Sequence, residues 1–139
     1  MKWNIFKSGL LFLIVLLCSL KVYSLPTDWN YTVTANNHKI LIQSGTTAVI
    51  NGQQLSPGDY FGVFFIDSSD EFKCGGYSMW TGTVNNVAAW GEDVGDDGFE
   101  AGETFYWRIW DASENIDYFA TPVYFGYPFT EQGQYVTTE

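Results

Sequence analysis

Six carboxylates crowd between Glu92 and Glu103, in the run Glu92-Asp93-Val94-Gly95-Asp96-Asp97-Gly98-Phe99-Glu100-Ala101-Gly102-Glu103. Oxygen donors interleaved with glycines suit a hard cation, which needs six to eight oxygen ligands from a loop able to turn sharply. Asp93, Asp96, Asp97, Glu100 and Glu103 are therefore candidate calcium ligands. The spacing is not that of an EF-hand, because Gly95 stands where the third position needs Asp or Asn and Thr104 where the twelfth needs a bidentate Glu. Such a site would be irregular and weak, filled from the millimolar calcium of extracellular fluids. The same acids lie near Trp90 and Trp107, which makes a two-carboxylate polysaccharide hydrolase the competing chemistry. Catalytic acid and base usually come from different strands, with one of them desolvated, whereas carboxylates clustered in a Gly-rich loop read as solvated or metal-binding.

Nucleophilic catalysis lacks its parts. The sole histidine, His38, sits beside Asn37 at the start of an expected strand and reads as a strand-edge residue rather than a base. Cys74 follows Lys73, whose ammonium would favour a thiolate, but a small apolar residue packed between two β-rich runs is the preferred reading. Zinc would need more His and Cys than the chain supplies. Tryptophan is the remaining resource: Trp107 and Trp90 fall on core positions, and Trp29, Trp80 and Trp110 are the candidate ligand-binding residues, flat rings for a glycan or a protein partner.

The elements that must carry these residues begin after an export signal. Met1 to Lys7 is basic, Gly9 to Leu20 is apolar, and Val22-Tyr23-Ser24 is a small-residue exit, the pattern of a cleaved signal peptide over residues 1–24. The apolar run is too short to span a bilayer, so no membrane insertion is expected after cleavage. Residues 25–139 then form one domain whose three cations, Lys39, Lys73 and Arg108, face sixteen carboxylates, a net charge of −13. That surface repels phosphate backbones and anionic lipids, which excludes nucleic acid as a partner. With Cys18 removed, no intrachain disulfide can form, and the core must hold the fold.

No helical periodicity extends beyond about two turns, while alternating and continuous β-rich runs recur throughout. The class is all-β: a two-sheet antiparallel sandwich, Ig-like or jelly-roll, of about nine strands. They are expected at 31–34, 39–43, 47–50, 60–66, 76–80, 87–90, 104–110, 118–121 and 134–137, with 121–139 a final strand or tail. Asn51-Gly52 specifies a tight type I′ hairpin and Ser56-Pro57-Gly58-Asp59 a second turn. Tyr60 to Ile66 is apolar on both faces, the mark of a central strand, and Gly62 within it marks a bulge or a close packing contact. Along 104–110, Phe105, Trp107 and Ile109 form the core face, with Tyr106, Arg108 and Trp110 opposite.

From Ile50 the order Ile-Asn-Gly-x-x-Leu-x-x-Gly-Asp-Tyr, Gly-Val-Phe, Cys-Gly-Gly-Tyr, Trp-Thr-Gly, Ala-Trp-Gly-Glu-Asp, Asp-Gly-Phe-x-x-Gly-Glu and Phe-x-Trp-x-Ile-Trp resembles a β-sandwich module of secreted, often multidomain proteins of the Bacteroidota, many exported by the type IX secretion system. The likeness covers about Trp29 to Tyr127. It implies an extracellular, non-catalytic unit and carries over no catalytic residue. The expected function is a secreted or cell-surface module for adhesion, recognition or structural assembly, with a glycan or protein partner. A polysaccharide hydrolase and a self-associating subunit that polymerises by strand exchange are the alternatives.

Overall fold

The computed structural model describes residues 24–43, 45–93, 95 and 97–123. Every regular element among them is a β-strand, and every named strand pair is antiparallel. The all-β class stands, with eight strands among the described residues: β1 (Asn37–Ile42), β2 (Val49–Ile50), β3 (Gln53–Gln54), β4 (Tyr60–Ile66), β5 (Phe72–Met79), β6 (Asn85–Trp90), β7 (Tyr106–Asp111) and β8 (Ile116–Ala120).

A four-stranded sheet in the order β5-β4-β7-β8 is the larger layer. Against it lie the β1–β6 pair and the two-residue hairpin of β2 and β3. Asn51 (φ 50°) and Gly52 (φ 81°) close that hairpin with both residues at positive φ, the conformation for which the dipeptide was singled out. Between the layers sits the main core: Phe61, Val63 and Phe65 of β4, Trp107 of β7, Val87 and Ala89 of β6, with Leu55, Trp80, Phe99 and Phe105. Phe105 and Trp107 are buried in it and Ile109 packs against it, the register read from alternation.

β4 is central and covered on both faces, as its continuous apolar run requires. On its other side Tyr60 and Phe64 join Trp29, Cys74 and Ala112 in a second core, roofed by the N-terminal segment. Here the structure corrects one expectation. Residues 31–34 do not form a strand; residues 24–36 run as a strap over the sheet's outer face. The reason is Gly62: a Cβ there would lie 3.0 Å from Trp29 Cζ3, so the missing side chain is the seat of the indole. The strap is tied down further on, where Thr34 Oγ1 donates to the Gly91 carbonyl (2.5 Å), and Gly91 N donates to the Asn36 carbonyl (2.9 Å).

The bulge lies one strand over. β5 starts at Phe72, earlier than expected, because register shifts beside Val63/Phe64 and lets Gly75 slip out of the pairing, with the Phe99 ring packed against it. The expected strand at 134–137 lies outside the described residues.

Candidate functional site

Expected roles for three tryptophans meet different fates. Trp29 and Trp80 are buried (4 % and 8 % exposed) and Trp110 is half-buried, so the three do not form one exposed platform. Trp29 belongs to the strap and turns its ring onto the sheet, edge-on to Phe64 (centroids 5.2 Å) and Tyr77 (6.0 Å), and its Nε1 donates to Asp117 Oδ2 at 3.1 Å. Trp110 packs on the same cluster and its Nε1 donates to the Ser24 carbonyl at 3.0 Å. Trp80 belongs to the opposite face, edge-on to Phe61 in the main core. Amphipathic rings bury when their N–H finds an acceptor, and the strap and Asp117 supply two.

Carboxylates of the acidic loop accept backbone N–H groups, from the loop itself and from the strap. Asp93 Oδ2 accepts the Ala35 N–H (2.8 Å), Asp97 Oδ1 the Asp93 N–H (2.9 Å), and Glu103 Oε2 the Glu100 N–H (2.8 Å). Gly91 and Phe99 bridge across its base. Among the described residues no group of three His, Cys, Asp or Glu converges to hold a metal ion. Asp96, one of the expected calcium ligands, lies outside the described residues.

Cys74 is packed in the second core, and burial pushes its thiol up to about 12. Lys73 does not activate it. Its ammonium pairs with Glu71 (2.8 Å) and Asp67 (3.4 Å) in the β4–β5 turn, because adjacent strand residues point to opposite faces. His38 meets the edge of Phe105 (5.4 Å), and burial lowers its pKa, favouring the neutral ring. The buried acid Asp59 is spent on structure: Oδ2 accepts the Ser56 N–H (2.8 Å) and Oδ1 the Ala112 N–H (3.1 Å), pinning the Ser56–Asp59 turn to the end of β7.

Two surfaces stand apart from these satisfied groups. The strap covers only one end of the outer face. At the other, Phe72 of β5, Tyr106 of β7 and Phe119 of β8 remain 40 %, 37 % and 65 % exposed. Their rings touch one another, Phe72 to Tyr106 at 5.1 Å and Phe72 to Phe119 at 5.4 Å. Arg108 adjoins this ledge, its guanidinium 5.0 Å from the Phe119 and Phe64 ring centroids. Asp117 holds it there through Arg108 Nη2 (2.7 Å) and Nε (3.0 Å). Sequence reading missed the ledge. Phe72 fell outside the expected strand, and only register places Phe119 opposite Arg108.

The second surface is a groove of about 480 Å³ between the β2–β3 hairpin and the β5–β6 turn, with Leu55, Pro57 and Trp80 among its lining residues. In comparisons with family models, curated proteins and solved structures, nothing matches this chain.

Proposed function

We propose that this chain is an exported, non-catalytic β-sandwich module that recognises a partner at the cell surface through the open end of its outer face. The observation that carries this reading is the exposed ring cluster Phe72, Tyr106 and Phe119 beside a fixed Arg108. Touching rings on an exposed sheet face add only about 0.2–1 kcal/mol per pair to the fold, whereas contact surfaces are enriched in aromatic residues and Arg. Arg108 is held in place by Asp117, so little side-chain freedom is lost when a partner closes over it.

Cys74 and His38 are not arranged for nucleophilic catalysis: the thiol is buried and held protonated, and the imidazole packs on the Phe105 ring with its pKa lowered by burial. Export rests on the residue 1–24 pattern, and mature protein should begin at Leu25.

The test uses labelled mature domain titrated onto intact cells that export it. Saturable binding, weakened at least about tenfold by Phe72→Ser/Phe119→Ser in a variant that stays folded at the assay temperature, supports the reading, a loss of ~1.4 kcal/mol being modest for two contact-centre aromatics. Binding that does not saturate, or that ignores the double substitution, contradicts it. Concentration-dependent dimers abolished by the same substitutions would replace the external partner with a second copy.

A further inference from the structure

We propose that the groove between the β2–β3 hairpin and the β5–β6 turn is a binding site for a neutral saccharide. The site is independent of the aromatic ledge. Its lining combines apolar side chains, buried Leu55 and Trp80 and exposed Pro57 and Val84, with hydroxyl and amide groups from Thr46, Thr83 and Gln54. None of its lining residues is charged, on a chain whose acids outnumber its bases sixteen to six. A charged ligand would find no counter-charge there, and an anionic one would also meet the repulsion of the whole domain. A sugar ring fits the chemistry. Its C–H faces seek apolar surface, and its hydroxyls both donate and accept, as threonine hydroxyls and a glutamine amide do. At about 480 Å³ the groove falls within the range of roughly 300–1,000 Å³ usual for small-molecule clefts.

A second observation points to a ligand. Trp80 is only 8 % exposed, its backbone is pinned by N–H donation to the Asp59 carbonyl (2.7 Å) and by acceptance from Gly58 N (3.0 Å), and its ring packs on Phe61. Yet among the described residues its indole N–H has no acceptor, unlike those of Trp29 and Trp110. Buried donors are normally satisfied by protein or by ordered water, and an indole that lines the groove can take its acceptor from a molecule bound there. A saccharide hydroxyl supplies it. The walls approach one another here: Pro57 Cγ lies within 3.6 Å of where a Cβ at Gly82 (φ +80°) would sit, and the Thr81 and Thr83 hydroxyls hydrogen-bond each other at 3.1 Å.

The test is an NMR titration of the ¹⁵N-labelled mature domain, reading the Trp80 indole resonance. The probes are maltose, cellobiose, lactose and N,N′-diacetylchitobiose, with a galacturonate oligomer as the anionic control. At least one neutral sugar should shift that resonance saturably, and galacturonate should bind at least tenfold more weakly. Thr83→Ala and Gln54→Ala, both at exposed positions, should each weaken binding about three- to tenfold, as loss of one hydrogen bond does. Trp80→Phe, which removes the donor together with the pyrrole half of the indole and is followed through the backbone amides of Gly82 and Thr83, should weaken binding at least as much. No response to any neutral sugar, equal binding of galacturonate, or affinity untouched by both surface substitutions would overturn the proposal. Phe72→Ser/Phe119→Ser should leave this titration unchanged, so the groove and the ledge succeed or fail separately.

Discussion

The two faces of the four-stranded sheet are built from the same strands and hold opposite kinds of group. Its inner face presents Phe61, Val63, Phe65 and Trp107 to the main apolar core. The outer face carries an ion pair, Arg108–Asp117, at one end a strap and at the other an uncovered ledge of aromatic rings. Alternation along β4 and β7 makes this possible, since each residue that turns inward leaves its neighbours to turn outward. The difference teaches that burial alone does not separate fold from function here. Trp29, Trp80 and Trp107 are all buried, but Trp107 packs inside the main core, Trp29 latches the strap, and Trp80 borders a groove.

The sharpest break of this comparison is Trp107→Ala, which should destabilise the domain by about 3–5 kcal/mol in a denaturant titration, through lost transfer energy and a residual cavity. Asp117→Ala should come next, at about 1–3 kcal/mol, because it strands both the Arg108 guanidinium and the Trp29 N–H. An Asp117→Ala variant as stable as wild type would mean that the strap is held by packing alone.

Gly62→Ala sharpens the picture of the strap. A methyl 3.0 Å from the Trp29 ring should lift that ring at a cost of about 1–3 kcal/mol and speed labelling of native Cys74, which in wild type should react only as the domain opens. The same thiol sets a pH dependence. Its pKa rises from 9.0 to about 12 on folding, so the unfolded chain releases the proton first, and the stability that wild type holds relative to Cys74→Ala should be retained below pH 9 and fall as pH climbs toward 12.

Phe119→Ser, on the ledge, should cost no more than about 1 kcal/mol, the worth of an exposed ring pair and cation–π contact. Calcium should matter least. With Asp93, Asp97 and Glu103 already accepting backbone N–H groups, melts in chelator and in excess calcium should superimpose. A gap of several degrees that Asp97→Asn shrinks would establish a bound ion.

Much of the inner face was legible in the sequence. β4 reads correctly from Tyr60 to Ile66 because turn residues bound an unbroken apolar run, and the Asn51-Gly52 hairpin follows from local backbone preference alone. The outer face was not. Tyr31-Thr32-Val33-Thr34 has the composition of a strand, and only the seat at Gly62 reveals that its segment lies across the sheet rather than within it. The ledge needs the β7–β8 register, which brings Phe119 opposite Arg108, and the groove needs residues 45–57 beside 80–84. Such juxtapositions are tertiary, and no periodicity records them.

Hydroxyl-radical footprinting of the mature domain, free and bound to cells that export it, tests the division between the faces most directly. Phe72, Tyr106 and Phe119 should be modified in the free domain and protected in the bound one, with Trp107 silent in both. Modification of Trp107 in the native free domain, or rings on the ledge that stay equally reactive when bound, would contradict it.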